Sequence, residues 1–132
     1  MATILPTGRV TSKTYIASGS MTALQYHIVK LSAASTAAVA GANDPVLGVL
    51  KNKPADAGQA SVVTRGEAEV FVDATTAILI GDYIESDASG HGVKMAATTG
   101  KRNVLGRAME AKASGTGTII VDINPGVVTN PA

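Results

Sequence analysis

Two histidines, His27 and His91, and two carboxylates, Glu67 and Glu69, are the residues of this chain best equipped by type to do chemistry. A metal centre built on imidazole needs further ligands that converge on one point. His27 stands in the β-rich run "YHIVKLS", alternating with Val29 and Leu31, and reads as a barrel-wall residue. His91 lies between glycines in "DASGHG" and reads as part of an exposed hairpin loop. Two such isolated histidines make a poor metal site, and neither a metal nor a cofactor is expected.

Glu67 and Glu69 share one face of an alternating segment, so a glycosidase-like pair of carboxyl groups is worth weighing. The acid of such a pair needs an apolar pocket that raises its pKa, and Arg65 on the same face opposes that. A solvated outer stripe explains the three charges better. It would guard the strand against edge pairing or offer charge to a neighbouring subunit. "TTGKRN" (98–103) contains Gly-Lys without the rest of a phosphate loop, and a strand follows where a helix is required. "GTGTII" likewise runs into a strand, so it is no dinucleotide fingerprint. Lys101, Arg102 and Arg107 cluster, yet they lack the interleaved aromatics of a nucleic-acid surface. The chain reads as no enzyme, with no nucleic-acid, membrane or small-molecule partner.

Composition agrees with that reading. The 132 residues carry 11 basic and 10 acidic side chains, a net charge of +1, so no global field draws the chain to polyanions. Only 16% of residues are charged, and the aromatics are Tyr15, Tyr26, Tyr83 and Phe71 alone. A core of Ala, Val, Ile and Leu buries little area per side chain, which favours stabilisation by partner subunits. Without cysteine there are no disulfides or thiolate ligands. No apolar run approaches the roughly 20 residues needed to span a bilayer, and the N-terminus lacks a signal-peptide pattern. A soluble protein made in the cytoplasm is expected.

The elements that would position these residues are strands. The clearest alternation is "SVVTRGEAEVFVD" (61–73), with Val62, Val70 and Val72 on one face and Arg65, Glu67 and Glu69 on the other. Gly66 within it suggests a bend. "PVLGVLK", "GTIIVDINPG" and a hairpin over 81–96 add further strands, and Pro125-Gly126 is expected to stop the last. "LSAASTAAVAGA" is a weak helix candidate and at least as good a loop. Residues 1–25 read as an extended N-terminal arm with a short strand around Val10–Ile16, and 125–132 as a tail.

The strands also repeat. Val46-Leu47-Gly48 returns as Val104-Leu105-Gly106, 58 residues on. "GQASVV" (58–63) matches "GTGTII" (115–120), and Tyr26 matches Tyr83, both at a spacing of 57. The order and near-constant spacing point to two diverged copies, about 26–66 and 83–123, of one strand–loop unit. Neither copy would bury a core alone; together they could close a small barrel over 26–124. The shared glycine of each Val-Leu-Gly would sit where two backbones approach closely. The fold class expected is therefore all-β: a small β-barrel built from two diverged strand repeats, with an extended N-terminal arm.

Residues 44–124 resemble the small phage capsid decoration, or cement, proteins. The resemblance rests on Gly81-Asp82 opening a β segment, the turn Ser86–Gly90, and the Ala/Thr stretch Ala96–Gly100. The strand Val104–Ala111, the loop Gly115–Gly117 and the final strand Ile119–Ile123 complete it. The first copy departs from the pattern, with Leu24-Gln25 where the second has Gly81-Asp82. The resemblance implies a homotrimer on the outer surface of an icosahedral virion, stapling major capsid protein subunits together without catalysis. On that reading Ile4, Leu5, Val10, Tyr15 and Ile16 would anchor the arm. Arg9 and Lys13 would pair capsid carboxylates, and Arg65, Glu67 and Glu69 would face a neighbouring subunit. The competing readings are a small ligand- or carbohydrate-binding barrel and a tail or baseplate module.

Overall fold

The computed structural model describes residues 10–130. Nine strands follow one another in the order β1 (Thr11–Ala17), β2 (Ile28–Ala33), β3 (Thr36–Val39), β4 (Gly48–Leu50), β5 (Gln59–Ala74), β6 (Tyr83–Ser86), β7 (Gly92–Lys94), β8 (Gly100–Ala108) and β9 (Gly115–Asn130). Among the described residues there is no helix. The Ala-rich run 31–42 forms the tight hairpin between β2 and β3, with Ala33 opposite Thr36. Small and β-branched residues suit that pleat better than a helix, whose side-chain stripe they cannot supply.

Strand β5 organises everything else. Its first half pairs with β1 (Lys13 opposite Val62) and β4 (Val49 opposite Val63). Strand β1 in turn lies parallel to β3, β3 antiparallel to β2, and β2 antiparallel to β4, closing a five-stranded barrel. At Gly66, where φ is 103°, the strand changes partners. From there to Ala74 it runs against β9 (Val70 opposite Ile119), and it meets β7 in parallel at Val72–Gly92. Pairings β7–β6, β6–β8 and β8–β9 complete a second circuit. The pairing scheme of the first unit thus recurs in the second, with residues 66–74 of β5 taking the place of β1.

Corresponding residues follow from the registers. Val29 opposite Gly48 matches Ile84 opposite Gly106, and Leu50 opposite Val62 matches Ala108 opposite Val121. Tyr26 N–H donates to Leu50 O as Gly81 N–H donates to Ala108 O, each at 2.7 Å. Tyr26 therefore corresponds to Gly81 and not to Tyr83, a shift of two residues from the alignment suggested by sequence. The repeat also begins earlier than residue 26. Thr11–Ala17, expected within an arm, is the first strand of the first barrel. Val46-Leu47-Gly48 and its copy do mark a close approach: a Cβ at Gly48 would run into Val63 O, and one at Gly106 into Asp122 O, both well under 3.0 Å.

Each unit has its own apolar cluster. Ala17, Val29, Ala37, Leu50, Ala60 and Val62 fill the first. Val72, Ile84, Ala108, Ile119 and Val121 occupy the corresponding places in the second, joined by Ile28, Val49 and Val63 from the outer face of the first. Val63 is buried for that reason, although simple alternation puts it on the charged side of β5. The last strand also runs past its expected stop. Pro125 falls in a register shift, between Val104 opposite Gly126 and Gly106 opposite Ile123. At such a bulge a missing N–H removes no ladder bond, so β9 continues to Asn130.

Candidate functional site

Of the residues proposed for contacts, Ile4, Leu5 and Arg9 lie outside the described residues. Val10, just ahead of β1, and Ile16 near its end are exposed, Ile16 to 52%. Lys13 is exposed, whereas Tyr15 packs against the apolar cluster of the first unit. Arg65 stands exposed opposite Thr11. Glu67 and Glu69 are half-buried on the far side of the Gly66 bend, opposite Asp122 and Ile120. Two groups result: one on β1 of the first unit, the other on the sheet of the second.

The second group extends beyond what sequence suggested. Tyr83, Arg107, Asp122 and Glu67 stand opposite one another on β6, β8, β9 and β5. The Arg107 guanidinium lies 4.6 Å above the centre of the Tyr83 ring, a cation–π contact. The same row of the first unit reads Ile28, Val49, Val63 and Ser12, and its three apolar members are buried against the second unit. Burial first, then the neighbouring Glu69 carboxylate, push the Tyr26 pKa above its usual value.

At one end of the second unit Leu79, Ile80 and Met109 are exposed, Ile80 to 71%. Gly81 N–H, bonded to Ala108 O, brings the two chain segments together. The corresponding Gln25 and Lys51 of the first unit are polar, and Gln25 Nε2 donates to Lys51 O at 3.0 Å. The apolar run "AILI" carried the signal for this corner, but such a run reads equally well as a buried strand.

The histidines are not where sequence placed them. Tyr26–Ile28 is wedged into the second circuit: Phe71 N–H donates to Tyr26 O and Ile28 N–H to Gly90 O. His27 is consequently buried at the seam between units, stacked on Phe71 at 5.2 Å with an interplanar angle of 4°. His91, expected to face solvent, is half-buried and completes the aromatic trio, 5.1 Å from His27. A cavity of about 450 Å³ opens beside them, lined also by Gln25 and Lys53. His91 Nδ1 lies 3.0 Å from Asp87 Oδ2, so carboxylate does stand beside this imidazole.

Both units also carry an ion pair at corresponding positions, with the signs exchanged. In the first, Lys30 Nζ on β2 meets Asp44 Oδ2 at 2.9 Å. Asp44 also accepts from Gly41 N–H, and the Lys30 hydrogen bond is the main reason its carboxyl titrates below the usual range. In the second, Glu85 on β6 accepts from Arg102 Nε at 3.0 Å and again from Arg102 Nη2. The Glu85 side chain is only 5% exposed, and its hydrogen bond raises the Arg102 pKa. A bidentate pair of this kind braces β6 against β8.

A closed small barrel with one charged outer row and an exposed apolar corner is the build of a structural binding module. The family model of phage cement proteins matches residues 2–123, and the chain belongs to that family. It is accordingly a phage virion structural protein with a capsid-decorating role. Among solved structures, the chain is similar to the N base of the head fiber gp8.5 of bacteriophage phi29. The two share 19% identity at a TM-score of 0.59, over 88% of this chain and 95% of that one. That likeness concerns the fold. No curated protein matches the chain.

Proposed function

We propose that this protein decorates the outer surface of the phage head as a homotrimer, each copy clasping adjacent major capsid protein subunits. The observation that carries the contact surface is strand β1. It is held between β5 and β3, yet it leaves Ile16 exposed, with Val10 exposed just ahead of it. Apolar side chains on a well-anchored strand bind with little backbone ordering cost. Lys13 beside them, with Ile4, Leu5 and Arg9 ahead of the strand, would extend the surface. Arg65, Glu67 and Glu69 would face a neighbouring copy. Three copies of one surface multiply modest contacts through effective concentration. The role is mechanical and not catalytic: the protein is made in the host cytoplasm and added to assembled heads.

Purified protein added to undecorated heads tests this reading. Strand β1 cannot be deleted without opening the first barrel, so the variants are removal of residues 2–9 and Ile16→Asp. Both are expected to lower occupancy at least tenfold with Tm nearly unchanged, and light scattering should give the mass of three chains. Full occupancy by both variants, or a monomer on heads, would overturn it.

A further inference from the structure

The two units offer an internal control for a side-chain cluster that the decorating role leaves unused. Asp73 is the penultimate residue of β5, Asp87 follows β6 and His91 precedes β7. One ligand atom from each lies within 4.8 Å of the others. The parallel Val72–Gly92 pair puts Asp73 on the same face as His91, one step along that face from Phe71, and the antiparallel Ser86–Gly92 pair puts Asp87 level with His91.

Asp87 is held ready. Its Oδ1 accepts from Ser89 N–H at 2.8 Å and His91 N–H at 2.9 Å, which fixes the carboxylate towards the imidazole. Asp73, in contrast, has no hydrogen bond or ion pair through its carboxylate among the described residues. The nearest lysine of the adjoining cavity, Lys94, is turned to Asp82 at 3.8 Å. Two carboxylates and one imidazole thus converge on one point.

The registers give the corresponding residues in the first unit. Ala17 opposite Ala37 matches Val72 opposite Gly92, and Leu31 opposite Ala37 matches Ser86 opposite Gly92. Ser18, Ser32 and Thr36 therefore occupy the positions of Asp73, Asp87 and His91. The same backbone closes there on three small hydroxyl residues, so the fold itself has no need of charge or imidazole at this point. We infer that Asp73, Asp87 and His91 form a divalent transition-metal site that clips the end of β5 to the β6–β7 hairpin. Two oxygens and one nitrogen suit zinc or manganese better than calcium or magnesium, which take oxygen sets. The cavity of about 570 Å³ onto which Asp73 and Asp87 open leaves room for water or a further acidic ligand.

Tag-free protein titrated calorimetrically with the chlorides of zinc, manganese, calcium and magnesium in turn tests the site, with Tm measured in parallel. One equivalent of zinc or manganese per chain is expected, with a Tm rise of several degrees. Asp73→Asn and His91→Gln are each expected to weaken that binding at least tenfold, while the metal-free Tm of Asp73→Asn stays close to that of the parent. Grafting Ser18→Asp, Ser32→Asp and Thr36→His together is expected to add a second equivalent. The absence of binding by the parent would overturn the inference. So would binding that survives both single variants, or tighter binding of calcium or magnesium.

Discussion

The first and second units of this barrel use one pairing scheme and solve the same local problems with different residues. At the turn entering β2 the first unit places Tyr26 in the left-handed region (φ 68°), where the second places Gly81 (φ 92°). In the hairpin that follows, Ser35 (φ 57°) stands where the second unit has Gly90 (φ 79°). The outer row is apolar and covered in the first unit, charged and open in the second. Backbone demands are thus common to both units, and side chains report what each unit touches.

The largest effect should come from the two close approaches. Gly106→Ala and Gly48→Ala each drive a Cβ into a carbonyl oxygen of the paired strand. Each is expected to cost about 3–5 kcal/mol in urea unfolding. Equal costs would support the equivalence of the units; tolerance of one alone would break it.

Next come the ion pairs. Glu85→Gln leaves Arg102 facing a neutral amide at a nearly buried site, and a loss of about 3 kcal/mol is expected. Asp44→Asn in the more exposed pair should cost distinctly less, by an amount that shrinks with added salt. Comparable costs from both variants would show that burial does not separate the pairs.

The left-handed positions should differ in sign. At Gly90 an added Cβ meets Val39 Cγ2 at 2.5 Å and Ile28 O at 3.0 Å, so Gly90→Ala is expected to destabilise by about 2 kcal/mol. Ser35→Gly relieves a strained backbone at some entropic cost, for a net gain of up to about 1 kcal/mol. Thermal unfolding of both variants checks this, and a loss from Ser35→Gly would refute it.

The smallest effect concerns acid. The Asp44 carboxyl is depressed in the folded state, so its stabilisation is complete above the ordinary Asp pKa, about 3.9. That contribution fades as pH falls through the lower folded value. Asp44→Asn should therefore flatten part of the acid limb of the stability profile below about pH 4, measured by urea midpoints; an unchanged limb would exclude this role.

Much of this architecture was legible in the residues. Alternation located β5, and the repeated Val-Leu-Gly located both close approaches. The frame of the repeat is masked in the sequence because Tyr26 and Tyr83 look alike while the true counterparts do not: Ile28 with Tyr83, Val49 with Arg107, Val63 with Asp122. A shift of two residues keeps every strand residue on its own face, so periodicity does not expose it. The start of the repeat was hidden because Thr11–Ala17 has few apolar residues and gains its place from pairing. The cluster at His91 stayed invisible because Asp73 reaches it only across a parallel strand pair, which sequence spacing does not encode. The contact residues ahead of Val10 lie outside the described chain.

The exchanged polarity of the two ion pairs bears on how the chain finds its fold. Similar units within one chain invite strands to dock into each other's places during folding. Should β6 settle into the first unit, Glu85 would meet Asp44; should β2 settle into the second, Lys30 would meet Arg102. Either mistake would set like charges face to face, so the exchanged signs disfavour each strand in its sibling's berth.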